Sequence, residues 1–148
     1  MHRVTPAGRA PRILSATFLL AALVATALAG TAIEIRRGGS SWAKVEGDGA
    51  IRIDGSLVGA IEDDGTVRKA GSIVGEVEAD GTVRENGSIV GKVESDGTLR
   101  RNGSIIGRIE TDGTLRHDGS IWGSARPCGE ATDRRRVAAV LFFFSGEF

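Results

Sequence analysis

The chain has 148 residues and 22 glycines, but only 3 prolines, 1 cysteine and no tyrosine. One cysteine excludes an internal disulfide scaffold, and abundant glycine with neither a Gly-X-Y period nor much proline excludes a collagen-like chain. Lys+Arg and Asp+Glu number 19 each, so net charge points neither to nucleic acid nor to an anionic membrane.

The chain opens with Arg3, Arg9 and Arg12 and no acid, then runs uncharged from Ile13 to Gly30 and carries Ala27-Leu28-Ala29 near the end of that run. A basic start, an apolar run and an A-x-A site predict a secretory signal peptide over residues 1–29. The alternative is an uncleaved signal that anchors the chain in an inner membrane. A chain starting at residue 30 keeps 16 basic and 19 acidic residues, a net charge of −3. The expectation is an exported protein, periplasmic or extracellular, with no stable membrane span once the signal is removed.

A sixteen-residue period governs the middle, as DGTVRKAGSIVGEVEA from Asp64, DGTVRENGSIVGKVES from Asp80 and DGTLRRNGSIIGRIET from Asp96. Units also start at Asp48 and Asp112, and a worn unit without its Asp-Gly opening covers Ile33 to Gly47. Such a period marks a repeat architecture whose units share one core. Each unit carries two turn signals, such as Asp80-Gly81 and Asn86-Gly87, around short β-branched runs. Two reversals per unit predict hairpins, and so an all-β fold over residues 30–126.

Three-residue loops ending in glycine at both turns set Val77 opposite Val83 and Val83 opposite Ile89. Three core columns follow: Ile35, Ile51, Val67, Val83, Leu99 and Leu115; Leu57, Ile73, Ile89, Ile105 and Ile121; and Val45, Ile61, Val77, Val93 and Ile109. Gly59, Gly75, Gly91, Gly107 and Gly123 lie between the second and third, where close backbone approach or a bend is expected. A fourth column, Trp42, Val58, Val74, Val90, Ile106 and Trp122, is expected to face away from the core. Pairing the first strand, near Ile33 to Arg37, with the last, near Ser120 to Ala125, closes the array and removes exposed edges.

The unit DGTVRENGSIVGKVES, repeated in tandem, resembles the bacterial β-flower repeat proteins, especially the five-fold β-flower family. The aromatic-rich tail VAAVLFFF, Val137 to Phe144, is similar to the tail that follows the repeats in that family. The resemblance implies a radial, pseudo-symmetric array of five hairpin units, closed like a flower or propeller, and implies no reaction; the worn unit from Ile33 to Gly47 makes six the alternative count. Residues 127–148 are then a tail that packs on the repeats as a cover or plug, because Phe142, Phe143 and Phe144 need burial.

The most regular polar feature is an arginine column, Arg36, Arg52, Arg68, Arg84, Arg100 and Arg116, beside Glu46, Glu62, Glu78, Glu94 and Glu110. Guanidinium groups suit a phosphate or an acidic sugar, which makes Arg52, Arg68, Arg84, Arg100, Arg116 and Trp122 the candidate ligand-binding residues. The matching glutamates suit cross-strand ion pairs on a solvated face. Catalysis finds little support: His117 lies in one turn with Asp118 and near Ser120, too close in sequence for a triad. The acidic turns lack a calcium-loop pattern, and Cys128 has no metal-ligand partner at useful spacing. No cofactor and no metal are expected. The expected role is a non-catalytic structural or interaction module of a bacterial envelope, with an envelope protein or a glycan as partner and no nucleic acid. The alternative is a binding module for an anionic glycan or phosphate.

Overall fold

The computed structural model describes residues 30–148, so the expected signal peptide lies outside the described residues. Twelve strands follow one another: β1 (Ile33–Arg37), β2 (Ser40–Val45), β3 (Ala50–Ile53), β4 (Ser56–Ile61), β5 (Thr66–Lys69), β6 (Ser72–Val77), β7 (Thr82–Glu85), β8 (Ser88–Val93), β9 (Thr98–Arg101), β10 (Ser104–Ile109), β11 (Thr114–His117) and β12 (Ser120–Arg126). Each pairs antiparallel with its chain neighbours, and β1 pairs with β12 to complete a closed barrel. Closure through the first and last strands is the arrangement the repeat implies. The hairpins number six, because Ile33 to Gly47 supplies β1 and β2. They lie side by side in one continuous sheet rather than as separate blades.

The two turn signals build different turns. At the Asp-Gly-Thr end, Val77 stands opposite Val83 across a loop whose Asp80 Oδ1 accepts the Thr82 N–H at 2.9 Å. Gly81 has φ +90°, the left-handed residue that ends a three-residue loop. The same carboxylate-to-backbone bond recurs at Asp48, Asp64, Asp96 and Asp112.

The opposite end corrects the expected register. Glu85 pairs directly with Ser88, so Asn86-Gly87 is a two-residue turn with φ of +48° and +84°, the signs of a type I′ turn. Arg84 then pairs with Ile89 and Val83 with Gly91, which leaves Val90 as the extra residue of a β-bulge. The bulge reverses the phase of the strand between Ile89 and Gly91. Leu57, Ile73, Ile89, Ile105 and Ile121, expected in the core, therefore face outward and are 59–68% exposed. Trp42, Val58, Val74, Val90, Ile106 and Trp122, expected outside, are the bulge residues and pack against the core. The other two columns are interior, with Ile35, Ile51, Val67, Val83, Leu99 and Leu115 fully buried.

Among the described residues a single helix, α1 (Ala131–Phe144), forms, and it fills the barrel. Val137, Ala138, Ala139, Val140 and Leu141 are each 0% exposed. Five consecutive helical residues sweep more than a full turn, so the helix is enclosed on every side. A helix meets its own backbone hydrogen bonds in an apolar lumen where no strand edge is free. At its start the Asp133 carboxylate accepts the Glu130 N–H at 3.4 Å. At its end Ser145 Oγ donates to Leu141 O at 2.6 Å, and Gly146, at φ +72°, turns the chain so that Phe148 re-enters the core.

Candidate functional site

The outer face carries the arginine column as five repeated clusters. Arg52, Arg68, Arg84, Arg100 and Arg116 donate through Nε to Glu46, Glu62, Glu78, Glu94 and Glu110 at 2.5–2.9 Å. Each Nη1 also donates to the carbonyl of a turn glycine, as Arg84 does to Gly87 at 3.4 Å. The guanidinium groups are thus fixed flat on the sheet. Successive arginines lie two strands apart around the barrel, on the order of 10 Å, and point outward rather than toward a common ligand. These ion pairs are partly exposed, so each adds only about 0–1 kcal/mol.

Cross-strand pairing sets one outward aliphatic beside each of these arginines: Arg52 with Leu57, Arg68 with Ile73, Arg84 with Ile89, Arg100 with Ile105 and Arg116 with Ile121. The result is a band of alternating aliphatic and charged side chains on the outside of five hairpins. Sequence reasoning placed these aliphatics in the core. The Asn-Gly and Asp-Gly preference for type I′ turns is the signal that assigns them to the surface.

Trp122 stands apart from the arginine column, on the inner side of the rim formed by the two-residue turns. Its ring meets Trp42 and Phe148 edge-on, with centroids 5.3 Å away in each case. Its indole N–H and the Arg37 guanidinium both donate to the Glu147 carboxylate. The remaining aromatics of the tail occupy the same rim. Phe144, Phe143, Phe142 and Phe148 lie on the inward glycines Gly59, Gly75, Gly91 and Gly107, one ring to each hairpin. Lys69 and Arg101 sit over the Phe144 and Phe142 rings, at 5.6 and 5.4 Å from the ring centroids. His117 pairs across the strands with Gly107 and packs against Phe148, with centroids 4.7 Å apart. Its Nδ1 lies 3.4 Å from Asp118.

The opposite rim holds the basic run that the repeat leaves unexplained. Arg135 donates to Val77 O at 3.0 Å, and Arg136 faces Asp63 at 3.9 Å. Cys128 is buried there, and burial pushes its thiol up to about 11. Among the described residues no three of His, Cys, Asp and Glu gather at one point, and no helix is long and apolar enough to cross a membrane.

No family model, curated protein or solved structure matches the chain. Its class is therefore stated from the fold itself: a closed antiparallel barrel of six repeated hairpins, filled by its own C-terminal helix.

Proposed function

We propose that the protein is an exported, non-catalytic structural or interaction module of a bacterial cell envelope, built on a β-flower type of repeat. The observation that carries this reading is the outer aliphatic band: Leu57, Ile73, Ile89, Ile105 and Ile121 remain 59–68% exposed at one position of five successive hairpins. Scattered surface aliphatics are ordinary, whereas a repeated band is a feature of surfaces that meet a partner. The interior is occupied by α1 and the tail phenylalanines, so the outer face is what the barrel presents. The repeated charged residues have sufficient folding roles in loops and ion pairs, which supports a module without catalysis.

Two measurements test the proposal. Mass spectrometry of the protein recovered from a bacterial envelope should find residues 1–29 removed. A variant carrying Ile73→Ser, Ile89→Ser and Ile105→Ser should keep its circular dichroism but no longer sediment with the envelope fraction. Unchanged sedimentation of that variant, or measurable turnover of a substrate by the wild-type protein, would overturn the reading.

A further inference from the structure

The Arg–Glu pairing that circles the barrel is broken at one place, the seam between β12 and β1. Counting sixteen residues on from Glu110 gives Arg126, so the last position of the glutamate column carries the opposite charge. Counting sixteen back from Ala50, in the column otherwise filled by Thr66, Thr82, Thr98 and Thr114, gives Glu34. Ring closure brings these exceptions together: Glu34 pairs with Arg126, and Arg36 with Ser124. Lys44 pairs with Glu34 from the other side. One carboxylate, Glu34, thus faces Arg126 and Lys44 across the strands and bonds Arg36 along its own strand.

Arg36 is held differently from its five counterparts. Its Nε donates to Glu34 at 3.1 Å, and among the described residues its terminal nitrogens reach no turn carbonyl. Its side chain is 54% exposed, against 35–41% for Arg52, Arg68, Arg84, Arg100 and Arg116. Among the described residues Arg126 has no carboxylate within ion-pair distance. Glu34, Arg36, Ser124 and Arg126 line an open groove of about 420 Å³. A second depression, of about 380 Å³, continues from Arg36 and Ser124 to Thr114 and Trp122.

We infer that this seam is a binding site for an oxyanion, a carboxylate or phosphate group, gripped between Arg36 and Arg126. Two guanidinium forks match the paired oxygens of either group, and the hydroxyl of Ser124, in the same groove, can complete the set. The inference goes beyond the interaction role proposed above and makes no use of the aliphatic band. It also moves the anion site away from the regular arginine column, where each guanidinium is held by both a glutamate and a turn carbonyl, whereas among the described residues Arg36 is held by Glu34 alone and leaves its terminal nitrogens open.

The mutation that tests it is Arg126→Glu. It puts the repeat's own glutamate at that position but opposite Glu34, so Arg126→Gln, which removes the charge without making a like-charge pair, is measured beside it, should melt like the wild type and should show the same loss of binding. Calorimetric titration at low salt with inorganic pyrophosphate and with tetragalacturonate separates phosphate from carboxylate sources. The wild type should bind at least one of them, more weakly as salt is raised. Arg126→Glu should lose about tenfold or more in affinity, and Lys92→Gln, on the far side of the barrel, should bind like the wild type. Binding of neither probe, equal binding by Arg126→Glu, or a loss caused by Arg84→Gln instead would overturn the seam assignment.

Discussion

Gly91 and Phe142 share one socket: a Cβ built on Gly91 would stand 2.7 Å from the Phe142 ring and would also strike the Arg100 carbonyl. Arg101, the cross-strand partner of Gly91, also holds the same phenylalanine, donating to Phe142 O at 3.4 Å. Gly91→Ala should therefore destabilise the protein by about 1–3 kcal/mol through overpacking. Phe142→Ala should cost about 3–5 kcal/mol by opening a cavity at a residue only 6% exposed. Gly129→Ala, where the added methyl meets nothing within 4 Å, is the control. Urea denaturation of the three variants checks the order, and equal midpoints for Gly91→Ala and Gly129→Ala would contradict the socket.

Ala70 departs from the Asn or Asp found in its place in most other two-residue turns. It sits at φ +49°, where an L-residue with a Cβ loses roughly 1–2 kcal/mol unless a short polar side chain bonds locally. Ala70→Asn, the residue that Asn86 and Asn102 supply in the same turn, should stabilise the fold by up to about 1 kcal/mol. A rise in melting temperature of about 3–5 °C is the expected outcome. A fall would mean that the Ala70 turn is not of the same type as its neighbours.

Much of this architecture was legible in the sequence. The period, the hairpins, the closure through the first and last strands and two of the three core columns follow from turn residues and alternating aliphatics. The third column failed for a specific reason. Ile89 and Val90 are both aliphatic, so SIVGKV reads equally well in either phase, and only the two-residue turn with its bulge decides which side chain goes inside. The helical form of the tail was hidden for another reason. VAAVLFFF lacks an apolar stripe of helical period because the barrel surrounds the helix on every side. At the seam, the substitutions at Glu34 and Arg126 were readable against the repeat, but their meeting depends on closure. Trp122 was grouped with the arginines although the bulge turns it inward.

The aspartates of the three-residue loops predict the acid response. The Thr66, Thr82, Thr98 and Thr114 N–H groups, and next their hydroxyls, hold Asp64, Asp80, Asp96 and Asp112 below the ordinary carboxylate value of 3.8. Groups whose pKa is lowered on folding stabilise above their unfolded value, and that contribution is lost as pH falls through the folded value. Stability should therefore decline below about pH 4. Replacing all four with Asn keeps an acceptor for the turn and should flatten that decline in acid titrations followed by circular dichroism.

Cys128 predicts the opposite limb. Burial, and secondarily Asp133, raises its thiol from 9.0 to about 11, while Arg134 opposes the shift. The native state keeps the thiol proton at pH values where the unfolded chain has lost it. Its contribution is thus complete below about pH 9 and disappears as pH rises toward 11. Iodoacetamide at pH 8 should label Cys128 slowly in the native protein and rapidly in urea. Cys128→Ala should reduce the alkaline loss of stability. Equal labelling rates in the two states would show that the thiol is accessible.

Leu99 and Ile105 give the sharpest test of the corrected register, because alternation with three-residue loops places both in the core. In the bulged register Leu99 is fully buried and Ile105 is 61% exposed. Leu99→Ala should then cost about 2–5 kcal/mol, since it removes buried methyl groups and leaves a cavity against α1 and its neighbours. Ile105→Ala should change stability by no more than about 0.5 kcal/mol, the usual range for a surface position. The contrast separates the two registers even if both absolute values are shifted by the denatured state, because each variant removes aliphatic carbon from a strand of the same hairpin. Comparable losses for the two would return Ile105 to the interior, and with it the phase of the whole aliphatic band.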